Sequence, residues 1–223
     1  MKLQKKQKRS IILIVTSIIL IGAIAFGLFK ISPLGDNKAS DKEDYKDKLH
    51  DYIKDNDDYL TQGNKNSKVQ VVAFVDYRCS HCSDYDREIK QQKVQPKIDN
   101  NEIGYTEIPY PVTDDESVDY AKMYKTFNQL GDVNLAEQFS KQAFETSTMD
   151  NDPVKTVKKI NLPKDKEQKV IKKYKEHPPK NDKDKIHDEL KISSTPTIFV
   201  NSHHVNEANN LIKIIDEKLD DKD

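Results

Sequence analysis

Cysteine is scarce in this 223-residue sequence: only two occur, and they stand together in Cys79-Ser80-His81-Cys82. That count excludes a scaffold stapled by several disulfides. A bond between residues so close closes only a tiny loop, so it adds little stability through chain entropy. Chemistry is the better reason for the pair. Net charge is scarce as well, because 37 Lys and Arg against 38 Asp and Glu leave −1. No global positive field exists to gather a polyanion, so nucleic acid is not an expected partner. Internal repeats and low-complexity tracts are lacking, and the length suits one sizeable domain with attachments.

Charge is missing altogether from Ile11 to Phe29, which follows a basic segment at 1–10 carrying Lys2, Lys5, Lys6, Lys8 and Arg9 and no acid. The span approaches the roughly 20 residues a helix needs to cross the hydrocarbon core, and exceeds the about 7–15 apolar residues of a signal peptide. The expectation is therefore a single-pass transmembrane anchor at 11–29. With the lysines before the span, residues 1–10 stay cytoplasmic and the chain from about Ile31 lies outside the cell membrane. Ala23-Ile24-Ala25 has the small-residue pattern of a cleavage site, so a cleaved signal and a secreted product are the alternative. No cysteine stands near the span to carry a lipid.

Residues 30–58 read as a linker, Ser32 to Asn37, and a short amphipathic helix. Its start is the capping box Ser40-Asp41-Lys42-Glu43, and Tyr45, Leu49, Tyr52 and Ile53 share one face. Gly63 to Lys68 is turn chemistry. Val69 to Tyr77 is a near-continuous apolar, β-branched run that suits a strand buried on both faces. The cysteines follow it directly, and Asp84 to Lys97 has helical composition interrupted only by Pro96. Ile103 to Pro109 reads as a second strand. Apolar stripes at helical spacing come next: Val118, Ala121, Tyr124 and Phe127; Leu135, Phe139 and Ala143; Val170, Ile171 and Tyr174. Pro153, Pro163 and Pro178-Pro179 divide them. Thr197 to Val200 is a further strand, Asn201 to His204 a turn, and Glu207 to Leu219 a closing helix.

A pair of cysteines at a strand-to-helix junction has a chemical consequence. The first turn of a helix offers free backbone N–H groups and the positive end of its dipole, and both favour a thiolate at Cys79. His81, when protonated, adds a cation between the cysteines. Cys82, one turn further on, is placed to reach back and resolve a mixed disulfide. Half of a zinc site is the rival reading, but no second CxxC supplies ligands, and His203 and His204 are the only clustered candidates. No metal is expected.

Ser194-Thr195-Pro196-Thr197 stands just before a strand, more than a hundred residues beyond the cysteines. Val71 to Cys82, followed much later by Thr195-Pro196-Thr197-Ile198-Phe199-Val200-Asn201, resembles the DsbA-like branch of the thioredoxin superfamily. The resemblance implies an α/β fold: a thioredoxin-like core in two parts, 59–111 and 192–223, around an inserted helical domain at 112–191. A helix, a strand and a helix with their connections would need only about 40 residues between the motifs, so the surplus fits such an insertion. The family implies a cis bond between Thr195 and Pro196 in a loop packed against the cysteines. The backbone beside Thr195 would bind the substrate's extended chain, while Pro196 withholds an N–H and keeps metal from the thiols.

The chain departs from the family pattern at several places. Ser80 stands where proline is usual, Ser194 where glycine is usual, and Ala73 where an acid is common six residues before the first cysteine. Asp76 is the nearest acid in the strand, so the proton relay for the resolving thiol is left unassigned. Lys155, Lys158, Lys159, Lys169, Lys172 and Lys173 read as a solvated helix face, and the histidines at 50, 177 and 187 as exposed. Tyr124 and Phe127 read as core. The implied activity is an extracytoplasmic thiol–disulfide oxidoreductase that oxidises secreted or membrane protein thiols through Cys79 and Cys82. It needs no cofactor beyond that disulfide, and the resemblance implies a membrane quinone-linked oxidase as reoxidant. A reductase or isomerase of the same fold and a redox-inert, chaperone-like binding module are the rivals.

Overall fold

The structure, a computed structural model, describes residues 47–54 and 59–221. The expected anchor at 11–29 and the capping box at 40–43 lie outside the described residues. Among the described residues no helix is long and apolar enough to cross a membrane.

The apolar run becomes strand β2, Gln70–Val75, at the centre of a five-stranded mixed sheet. Its neighbours are β3, Gly104–Pro109, which runs parallel, and β4, Thr197–Val200, which runs antiparallel. The edges are β1, Thr61–Gly63, against β3 and β5, His203–His204, against β4. Val71, Ala73 and Val75 point into one core, Val72 and Phe74 into the other. Apolar material covers both faces of β2, so the strand cannot alternate with polar residues and reads as a continuous run. Each fully buried Val or Phe contributes about 1.5–3 kcal/mol.

The helices divide between the two faces. Helix α1, residues 47–54, contributes Leu49 and Tyr52 to the core around Val72 and Phe74. Helix α2 lies on the opposite side. It begins at Ser80–Tyr85, continues as π-helical Asp86–Val94 and ends in Gln95–Asp99. It therefore starts earlier than the composition from Asp84 onward indicates, and it does not stop at Pro96. That proline lies inside the run, directly after the π-helical turns.

Between β3 and β4 come α3 (Glu116–Gln129), α4 (Val133–Thr146), α5 (Pro153–Lys159), α6 (Lys164–Glu176) and α7 (Lys183–Leu190). Local chemistry starts them: Asp132 accepts the Leu135 N–H, and Asp152 accepts that of Val154 with Pro153 in the first helical turn. Helices α3 to α6 join the α2 side through Tyr120, Tyr124, Phe139, Phe144, Val157 and Val170. Helix α7 puts Ile186 and Leu190 on the opposite side with α1. Tyr124 and Phe127 are core residues.

Two strands went unseen in the sequence. Strand β1 is short and polar, and it forms because β3 presents an edge to it, with Thr61 and Thr106 hydroxyls 2.9 Å apart. Gly63 closes it with φ +69, where a Cβ would stand 2.6 Å from the Ile103 carbonyl oxygen, so only glycine fits. The segment 201–204 is more than a turn. Asn201 and Ser202 take left-handed backbone, and His203–His204 then pairs with Val200 and Phe199. The closing helix α8 is Leu211–Asp220, preceded by a 3₁₀ turn at Ala208–Asn210.

Candidate active site

Strand β2 ends at Val75, and Asp76-Tyr77-Arg78 carry the chain to Cys79 at the start of α2. Cys79 is the extended residue that caps the helix (φ −82, ψ 121), and its carbonyl accepts the Cys82 and Ser83 N–H groups, each at 3.1 Å. Its half-buried sulfur lies 3.6 Å from the Thr195 carbonyl oxygen. The two thiols are free, and they differ sharply. A hydrogen bond from the Cys82 thiol pulls the Cys79 pKa down to about 5. Burial opposes it, while the backbone N–H groups of Cys82 and His81 and the Thr195 side chain add to it. Cys82 is fully buried, and desolvation pushes its thiol well above the usual range; the Asp76 N–H, 3.5 Å from its sulfur, opposes this.

Each sequence-predicted site residue can be placed. Cys79, Cys82 and Thr195 converge, and the Thr195–Pro196 peptide bond is cis. The Thr195 hydroxyl is buried, lacks an oxygen or nitrogen partner among the described residues, and faces both sulfurs. His81 is exposed, and it acts on Cys79 through its backbone N–H. The charge between the cysteines that the sequence suggested is therefore not the main source of the low pKa. Among the described residues no three His, Cys, Asp or Glu side chains gather as metal ligands.

Three residues that hold the cysteine loop in place were not identified from the sequence. Asp76 is buried just past the strand end, and its carboxylate accepts the N–H groups of Arg78 (2.9 Å), Val112 (2.7 Å) and Thr113 (2.7 Å). Arg78, immediately before Cys79, donates its Nε–H to both oxygens of the Asp114 carboxylate at 2.8 and 2.7 Å, and its terminal nitrogen reaches the Ser147 carbonyl and Asn151. Asp114 also accepts the Ser117 N–H at 2.9 Å, so this ion pair ties the cysteine loop to the start of α3. The sequence carried no distinct signal for them, because only tertiary contact tells such ties from solvated charge.

A family model described as Thioredoxin matches residues 55–217. Among curated proteins, none matches the chain. Solved structures do. The thiol–disulfide exchange protein α-DsbA2 from Wolbachia pipientis is 25% identical, with 80% of this chain and 97% of that one covered at a TM-score of 0.56. Oxidised BdbD from Bacillus subtilis is 17% identical, covering 73% and 93% at 0.58. MdbA, a thiol–disulfide oxidoreductase from Actinomyces oris, is 18% identical, covering 70% and 80% at 0.55. With the sheet order, the helix-capping Cys79 and the family match in agreement, the chain belongs to the thioredoxin superfamily, among its DsbA-like thiol–disulfide oxidoreductases.

Proposed function

We propose that the protein oxidises thiols of secreted or membrane proteins outside the cytoplasm, cycling Cys79 and Cys82 between disulfide and dithiol. The observation that carries this reading is the unequal setting of the two sulfurs, one half-buried with a pKa of about 5 and one fully buried and held protonated. A substrate thiolate attacks the Cys79 sulfur of the disulfide. The Cys79–Cys82 bond breaks, Cys82 departs and takes up a proton, and a mixed disulfide forms. The substrate's second thiolate then attacks its own sulfur in that bond, and Cys79 leaves as a stabilised thiolate. Two electrons have passed from substrate to the cysteine pair.

The low pKa of Cys79 stabilises the reduced form and not the uncharged disulfide, so it drives the pair toward oxidation of its substrates. The backbone beside Thr195 is the docking strip for the substrate's extended chain. The apolar span at 11–29 holds the domain at the membrane, where a quinone-linked oxidase takes the electrons. The test is direct: the full chain, oxidised, is mixed with a reduced, unfolded dithiol protein, and its potential is measured against glutathione. Oxidation by wild type and none by Cys79→Ser is expected, with a potential well above the about −270 mV of a thioredoxin-type reductant. A potential near that value transfers the reading to a reductase. Equal activity in both proteins rejects the enzyme reading.

A further inference from the structure

Cys82 must gain a proton when the disulfide opens and lose one when it closes, yet its sulfur is fully buried beneath α2. A group inside the core has to carry that proton. On the α2 side of the sheet, β2 presents Val71, Ala73 and Val75, with Cys82 and Tyr85 in the same core. Strand β2 itself offers a methyl group at Ala73. The neighbouring strand offers a carboxylate: Glu107 is the register partner of Ala73 in the parallel β2–β3 ladder. Paired residues on adjacent strands lie about 4.8 Å apart with side chains on the same face, so Glu107 enters the core that holds Cys82.

Glu107 is 1% exposed, and one of its oxygens accepts the Tyr77 hydroxyl at 2.8 Å and the Ser140 hydroxyl at 2.7 Å. The titratable and charged groups facing it are Tyr85, Asp86 and Lys90 from α2, Tyr77 from the cysteine loop, Tyr105 from β3 itself and Tyr124 from α3. Burial raises its pKa, and Lys90 is the main opposing influence. Tyr85 interacts electrostatically with both Glu107 and Cys82. A buried carboxyl that is not wholly neutralised by an ion pair is costly to keep, and proton transfer gives it a use.

We propose that Glu107 is the internal proton donor and acceptor for Cys82, acting at one remove through the polar cluster around Tyr85. This assignment rests on the oxidoreductase reading above. When a substrate thiolate joins Cys79 and the disulfide breaks, the departing Cys82 thiolate receives its proton from the Glu107 carboxyl, leaving glutamate. In the closing direction the Cys82 thiol gives that proton back to glutamate. The Cys82 thiolate then attacks the Cys79 sulfur of the mixed disulfide, the Cys79–Cys82 bond forms, and the partner sulfur leaves as thiolate. Glu107 is a positioning and relay residue, since it does not touch the reacting sulfur.

Stopped-flow reaction of the reduced full chain with an aromatic disulfide reagent separates the two steps. The first coloured thiolate reports attack by Cys79, the second resolution by Cys82. Glu107→Gln keeps an acceptor for Tyr77 and Ser140, and it should leave the first phase unchanged while slowing the second roughly 100-fold near neutral pH. The slow phase should recover as pH rises and hydroxide takes over the base role. Adding Ala73→Glu to that variant should restore the second phase, which a packing role for Glu107 does not predict. An unchanged second phase with an unchanged pH profile overturns the assignment. If Glu107→Gln does not fold, Glu107→Ser is the substitute, since it lacks a carboxyl but keeps an acceptor: a slowed second phase beside an intact first phase supports the relay, and two intact phases overturn it. A wild type whose first phase shows no reactive Cys79 overturns the oxidoreductase reading itself, and the relay with it.

Discussion

The side chain that most favours the Cys79 thiolate is the Cys82 thiol, which donates a hydrogen bond to it, with backbone N–H groups behind. Cys82→Ala should therefore raise the pH midpoint of Cys79 alkylation markedly, whereas His81→Ala, which keeps its backbone N–H, should move it little. A larger shift for His81→Ala returns the leading role to the imidazole. The same pKa fixes a stability trend. The folded value of Cys79 lies below that of an unfolded cysteine, so the reduced fold gains stability in full above the ordinary thiol range. That gain shrinks as pH falls and is gone below about 5. Denaturant titrations of the reduced wild type and Cys79→Ala should accordingly converge between pH 8 and pH 5 on the acid side. Parallel lines across that window contradict the assignment of Cys79 as the low-pKa thiol.

At the scale of elements, the loop between β2 and α2 is held by Asp76 and Arg78 rather than by its own turn chemistry. Arg78→Ala removes a charge-assisted hydrogen bond from Nε to Asp114 and the bonds to Ser147 and Asn151, and it should cost about 2 kcal/mol of stability. Arg78→Lys keeps the charge but not two separated nitrogens, one for Asp114 and one for Ser147 and Asn151, so it should recover only part of that loss, read from the denaturant midpoint. Strands β2, β3 and β4 were legible in the sequence because each carries its own apolar pattern, and the junction at the cysteines because β2 ends just before them. Strands β1 and β5 were not. Thr61, Gln62, His203 and His204 have no strand pattern of their own, and they pair only because a neighbouring strand offers its edge. The π-helical character of α2 at Asp86–Val94 was hidden for a related reason, since π-helical turns leave no signature in the spacing of apolar residues.

For the whole molecule, the two faces of the sheet are joined by a partly buried ion pair. Lys125 of α3 gives hydrogen bonds to the Lys180 carbonyl at 2.8 Å and to the Asp182 carboxylate at 2.6 Å, just before α7. Tyr59 donates to the same carboxylate at 2.8 Å, and its ring lies 5.5 Å from the Lys125 ammonium. Lys125→Met takes the ammonium from Asp182 while leaving the Tyr59 hydroxyl, and should lower stability by about 2 kcal/mol, with the double variant carrying Asp182→Asn recovering part of it in a denaturant cycle. Additive losses contradict a direct pair. This contact spans 57 positions of sequence, and its partners look like ordinary surface charges until the fold unites them. The cysteine pair, the Thr195-Pro196 motif and the central strand were determined by the sequence alone, because residue type and local spacing carry their meaning. Tertiary structure alone decided that Arg78 clamps the cysteine loop, that Glu107 stands opposite Ala73, and that the Cys82 thiol leads in lowering the Cys79 pKa. Each of those depends on register between strands or on burial, which residue spacing along one chain does not encode.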